Sequence, residues 1–236
     1  MDHGERLISA AHEVAQLRAG IARDADLRRW SLALKHWQSQ RLARTHADLL
    51  ASERFHDAAR FFLEDLYGTK DFSQRDAELA RVIPLLARSL PDQALGTLAD
   101  AVELDALSER MDEALARHLA CDDASRIDEA TYAQAYRAGS SQAQRLHQLD
   151  LVVGIGRSLD RLVRHPLLGR MLAMMGGPAR LAGFGTMHDF LLRGFNAFRG
   201  IGGASEFLAQ IDGRERVILQ RLVGGACTGW TLVASP

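Results

Sequence analysis

Residues 60–84, RFFLEDLYGTKDFSQRDAELARVIP, carry an apolar helical pattern that stops at Gly68 and resumes after Asp71. Phe61, Phe62, Leu66 and Tyr67 close one helix. Gly68 can take the left-handed conformation that ends it, and Asp71 or Ser73 can accept the free backbone N–H groups that open the next. Outward from this junction the 3.6-residue periodicity recurs in both directions. Alternating β-branched runs and Asn-Gly or Asp-Gly hairpin signals are nearly absent. The chain therefore reads as all-α, a single-domain bundle of about eight or nine helices over residues 1–236.

Toward the N-terminus the pattern predicts a first helix over 6–23 and, after the polar ARDAD, a long second helix from about Leu27 to Tyr67. That helix, broken near Ala51 and Ser52, is expected to be the spine of the bundle. Toward the C-terminus a third helix fits 73–90 with a kink or stop at Pro84. A fourth begins at Pro91, with Leu104, Leu107, Met111, Leu115 and Leu119 in one stripe. Ser125 and Asp128 suggest a capping box for a short helix ending at Gly139, and another helix fits 140–164. Residues 166–203, rich in Gly, Met, Leu and Phe, read as a helical hairpin with a turn at Pro178. A last helix fits 205–223, and 224–236 read as a flexible tail.

Composition excludes several classes. The 236 residues have a formal net charge of −1, so no global charge calls for nucleic acid, but arginines outnumber acids two to one beyond residue 150. Cys121 and Cys227 are too few for a disulfide framework and lack the paired spacing of a zinc site. The start, MDHGERLISAAHEV, has early acids and no apolar core of signal-peptide length, and no window is apolar enough to span a bilayer. A cytoplasmic protein is the expectation.

Within the opening stretch, Tyr67, Asp71, Arg75, Asp76 and Arg81 form a polar corner that can bind an anion or orient a proton donor. The same residues also serve as scaffold if Asp71 caps a helix and the arginines pair with Asp65 or Asp76. The run FFLEDLYGTKDFSQRD, residues 61–76, resembles the signature of an uncharacterised bacterial all-helical family, a domain of unknown function, of the form F-F-x-x-D-L-Y-G-x-x-D-F-x-x-R-D. The resemblance implies a single helical domain and attaches no activity, ligand or catalytic residue.

Other constellations are thinner. Glu53 and His56 have the Glu-x-x-His spacing of di-iron bundles, but the motif occurs once, where such a site needs two copies and two further carboxylates. The run 150–160, DLVVGIGRSLD, has Gly154 and Gly156 but Leu159 where a dinucleotide fingerprint needs a third glycine; close helix packing explains the pair better. His46, His118, His147, His165 and His188 lie in or beside apolar helical stretches. A pocket where His147, His188, Asp189 and Phe184 meet the Tyr67 corner would support a haem- or metal-binding bundle or an enzyme. No cofactor is predicted outright, no set of metal ligands is assigned, and no catalytic residue is assigned. Arg170, Arg180, Arg193 and Arg199 are interleaved with Met174, Met175, Phe184 and Phe195. Such an Arg-rimmed apolar surface fits self-association into a homodimer, a protein partner or peripheral contact with an anionic membrane. The favoured reading is a non-catalytic binding or regulatory protein.

Overall fold

The computed structural model describes residues 2–66, 78, 81–83, 91–121 and 126–232. Among these there is no strand, and eight helices of more than ten residues make the architecture. Helix α1 (His3–Arg23) opens with a capping box in which the Asp2 carboxylate accepts from Glu5 N at 2.7 Å and Glu5 accepts from Asp2 N at 3.0 Å. Asp24 serves two helices at once. Its N–H closes α1, and its carboxylate accepts from Asp26 N and Leu27 N to start α2 (Ala25–Thr45).

The long second helix is corrected to three pieces: α2, α3 (Ala47–Ala51) and α4 (His56–Phe61), which continues as a π-helical turn at Phe62–Leu66. The break expected near Ser52 is present: its backbone is extended and its hydroxyl accepts from Phe55 N at 3.3 Å. A second break, at His46, has φ −119° and ψ 30°, outside helical geometry. The role of spine passes to α5 (Asp92–Cys121), 30 residues long, with Leu107, Met111, Leu115 and Leu119 buried as their spacing requires. It packs on α1, α2, α6 (Glu129–Gly139) and α7 (Gln142–Leu162).

Helix α6 is capped by Asp128 itself, which accepts from Ala130 N and Thr131 N, each at 3.0 Å, while the Thr131 hydroxyl returns to Asp128 N. This replaces the expected pairing with Ser125, which lies outside the described residues. Gly139 ends α6 so close to α5 that a Cβ there would sit 2.8 Å from Leu115 N. Gly156 of α7 likewise leaves room for Leu208, whereas Gly154 faces open space, so only one of that glycine pair is a packing device.

The segment 166–203 does fold as a hairpin, of α8 (Pro166–Leu181) and α9 (Gly185–Ile201), followed by α10 (Ser205–Val223) with the expected bounds. The turn is at Ala182–Phe184, with Gly183 at φ 76°, rather than at Pro178, which stays inside α8. Pro178 supplies a helix-compatible φ, although it lacks the N–H and its ring crowds the carbonyl one turn back. The preceding Gly176 lets the His188 ring of α9 approach, since a Cβ would lie 3.2 Å from its Cε1.

Three apolar clusters result. One joins α2, α5, α6 and α10 around Leu34, Leu115, Tyr132 and Leu219; a second joins α3, α4, α9 and α10 around Phe55, Phe198 and Phe207; a third joins α1 and α5 around Leu7, Leu95 and Val102, with Ile83. The expected flexible tail is corrected over residues 224–232. Trp230 is fully buried in the first cluster, donates its indole N–H to Glu129 O at 3.1 Å, and stacks on Tyr132 with centroids 5.4 Å apart. Its large apolar area and a satisfied N–H hold the end of the chain in place.

Candidate ligand-binding cavity

The residues singled out from sequence are dispersed. Tyr67, Asp71, Arg75 and Asp76 lie outside the described residues, and Arg81 is exposed with its guanidinium 5.1 Å from the Phe184 ring centroid. His147 of α7 bonds Glu103 of α5 at 3.1 Å, while buried His188 of α9 donates from Nε2 to Leu172 O at 2.8 Å. Asp189 takes Arg180 at 2.9 Å. The two histidines thus have separate partners, and His188 presents no free Nε2 to a haem iron. His56 Nδ1 donates to Leu50 O at 2.6 Å beside an exposed Glu53. Among the described residues no group of three or more His, Cys, Asp or Glu could hold a metal ion.

The expected apolar surface divides. Phe195 is buried beneath Gly169 and Arg199, and Phe184 is half-buried, so neither lies on an exposed patch. Met174 and Met175 are 79% and 49% exposed, and with Leu167, Met171 and Leu181 they form an outward stripe on α8. Arg193 and Arg199 are exposed on α9.

A cavity of about 140 Å³ lies where α2, α5, α6, α7 and α10 converge. Its walls are largely apolar, from Leu42, Phe62, Val152, Phe207, Ile211 and Trp230, and they carry two polar groups. In one, Arg41 of α2 donates from Nη1 to both Glu215 oxygens, at 2.5 and 2.7 Å, and His46 Nε2 lies 3.0 Å from Glu215 Oε1. In the other, Arg145 of α7 donates from Nε to Ser140 Oγ at 2.9 Å and from Nη1 to Gln148 Oε1 at 3.1 Å. Gln148 in turn donates to Ser108 Oγ at 2.8 Å, and Gln38 donates to Asp112 Oδ1 at 3.0 Å. The Arg145 guanidinium lies 4.2 Å from the Tyr136 ring centroid, and Tyr132 completes this wall between Trp37 and Trp230.

The two groups differ in their ion pairing. Burial opposes ionisation of Glu215, but the Arg41 charge and the His46 hydrogen bond outweigh it and hold the carboxyl down at about 2. Arg41, despite the same desolvation, is pushed up by Glu215, so this pair is mutually neutralised. Arg145 is 6% exposed, and among the described residues its hydrogen bonds go to Ser140 and Gln148 and it forms no ion pair. The carboxyl of its acidic neighbour Asp112 is pushed up by burial, against the pull of Lys35, Gln38 and Arg145. Burial also raises the Tyr136 phenol, keeping it a neutral hydrogen-bonding group. Among the residues lining the cavity, three buried polar atoms have no hydrogen-bond partner in the described residues: Arg145 Nη2, Arg41 Nε and His46 Nδ1; Ser31 Oγ, Thr45 Oγ1 and Glu109 Oε2 share that state away from it. Buried polar groups are ordinarily satisfied, so such atoms beside a cavity point to something that enters it.

Sequence reading missed Arg41, Arg145, Asp112 and Glu215, although each leaves a trace. Arg41 continues the Leu27, Trp30, Leu34 register of α2; Glu215 sits between Ile211 and Ile218 in the register of Leu208 and Leu222; Arg145 leads into Leu149 and Val152. Asp112 is three residues before Leu115. A charge at a core position of each of four helices is the signal, and it has meaning only once those helices are known to face one another.

No curated protein and no solved structure matches this chain. With its family model spanning residues 18–228, the chain belongs to the family described as a domain of unknown function, DUF8198.

Proposed function

We propose that the protein is a non-catalytic binding or regulatory protein that takes a small molecule into the cavity between α2, α5, α6, α7 and α10. The observation that carries this reading is the pair of buried arginine donors without protein acceptors beside a mostly apolar space of about 140 Å³. A cavity of about 150 Å³ accommodates benzene, so the ligand is of single-ring size. Helical bundles place such sites between facing helices, with few polar groups fixing orientation. The exposed thiols of Cys121 and Cys227 fit a reducing cytoplasm.

The test is thermal unfolding against single-ring compounds, benzene and benzyl alcohol among them. At about a hundredfold excess over Kd a ligand adds about 3 kcal/mol, a shift of several degrees. Val152→Phe, which fills the space, abolishes it. If no compound of this size raises Tm, the reading fails.

The outward stripe of α8 supports a second reading, self-association. Leu167, Met171, Met174 and Leu181 follow each other at intervals of four, three and seven, the spacing of a helix seam, and all four are exposed. No helix among the described residues is long and apolar enough to cross a membrane. Sedimentation equilibrium should show a dimer that Met174→Glu dissociates. A monomer at every concentration, with or without that change, excludes the homodimer, and monomer binding to anionic vesicles would assign the stripe to lipid instead.

A further inference from the structure

We infer that the ligand of this cavity is a small monocarboxylate with an apolar body of about one ring, its carboxylate received by Arg145 and its body lying against Val152, Phe207 and Trp230. The inference rests on the cavity being a binding site at all.

The sign of the charge comes from the asymmetry between the two arginines. Arg41 already donates to both oxygens of Glu215, whereas the hydrogen bonds of Arg145 go only to the neutral acceptors Ser140 and Gln148, with the face of Tyr136 beside it and Asp112 farther off. A guanidinium keeps its charge when buried, and a buried charge without a counter-charge is costly. An anion that reaches Arg145 Nη2 relieves that cost, and Nη2 is the part of the guanidinium that no described protein group uses. A cationic ligand would add to the imbalance, and a neutral one would leave it.

The number of charges follows from the same count. Arg145 has no carboxylate in ion-pair contact, and Asp112 already lines the same cavity, so the site takes at most one further negative charge. A phosphate dianion would bring a second charge into walls that offer mainly leucine, valine, isoleucine and phenylalanine. Arg41 Nε and His46 Nδ1 are the further buried polar atoms without a hydrogen-bond partner among the described lining residues. A carboxylate needs few donors, and charge-assisted bonds from arginine are among the stronger hydrogen bonds available to it. The aromatic side chains Trp230, Tyr132, Tyr136, Phe62 and Phe207 make a planar or branched apolar body the better fit.

The test compares benzoate with benzamide, which has nearly the same shape and no charge, by calorimetry on the full chain. The Trp230 indole N–H resonance reports that either compound occupies the cavity rather than the surface. Benzoate should bind about tenfold tighter or more than benzamide. Arg145→Met should remove that preference while leaving benzamide binding within a few-fold, and Arg145→Lys should keep part of it. If benzamide binds as well as benzoate, or if Arg145→Met still prefers benzoate, the carboxylate assignment is overturned while the cavity stands. If neither moves the Trp230 resonance and benzene does not either, the cavity reading fails and the assignment goes with it. Should Arg145→Met not fold, the wild-type comparison and Arg145→Lys decide the matter alone.

Discussion

Glu215→Gln lowers the stability of the protein by about 3–5 kcal/mol, because it leaves Arg41 buried without its counter-charge. Arg41 is 8% exposed, and both Glu215 oxygens accept from it. For a chain of this size the loss corresponds to a Tm lower by about 10 °C. Chemical denaturation at neutral pH measures it. The companion experiment is the double replacement Arg41→Met with Glu215→Leu, which removes both charges and fills the volume with apolar atoms. It should be less destabilised than Glu215→Gln, since a buried ion pair is costly mainly when halved. A double variant worse than the single would show that the pair is a net source of stability.

The same pair sets a pH dependence. The Glu215 carboxyl is held at about 2 in the fold against an ordinary 4.5. The unfolded chain therefore takes up this proton first as pH falls. The contribution, about 3 kcal/mol, is fully present above the ordinary value and disappears as pH drops toward the folded one. Wild type should lose stability steeply between these limits, and Glu215→Gln should lose less there, so the two curves converge in acid. Parallel curves would mean that Glu215 does not ionise differently in the two states.

Trp230→Ala is the second large effect, with an expected loss of about 3–5 kcal/mol from the removed apolar area and the space left behind. The indole is fully enclosed, touches Tyr132 and Trp37, and bonds Glu129 O. Gly229 N and Thr231 Oγ1 both bond the Glu129 carboxylate, so the segment after α10 is tied to the first turn of α6 by backbone and side chain together. Trp230→Phe, which keeps a ring but not the N–H, should lose less than half as much. A change within about 0.5 kcal/mol for Trp230→Ala, the range of surface substitutions, would show that the segment is not docked.

Trp230 also marks where sequence reading stops. A single tryptophan in GGACTGWTLVASP has no periodic neighbours, so nothing local says that it docks; its partners Trp37, Glu129 and Tyr132 are about a hundred residues or more away. Helix class, the final helix and the 166–203 hairpin were legible because they rest on spacing and on glycine stops that act within a few residues. The break at His46 and the helical Pro178 were not, because each is decided by a contact with another element: Glu215 for His46, and α9 against Gly176 for the end of α8. The candidate site was hidden for the same reason. Arg41, Asp112, Arg145 and Glu215 belong to no local motif, and only the packing of four helices places them around one space. The histidines drew attention by residue type, yet the cavity takes only His46 among them, as a partner of Glu215.

A crystal structure of the protein soaked in benzoate shows whether the cavity is a binding site. Continuous density is expected for the ring between Val152, Phe207 and Trp230, with a carboxylate oxygen within hydrogen-bond distance of Arg145 Nη2. A cavity holding only ordered waters, bonded to Arg145 Nη2 and Arg41 Nε and undisplaced by the soak, would contradict it: the buried donors would then be satisfied by structural water, and the space would be part of the fold rather than a site.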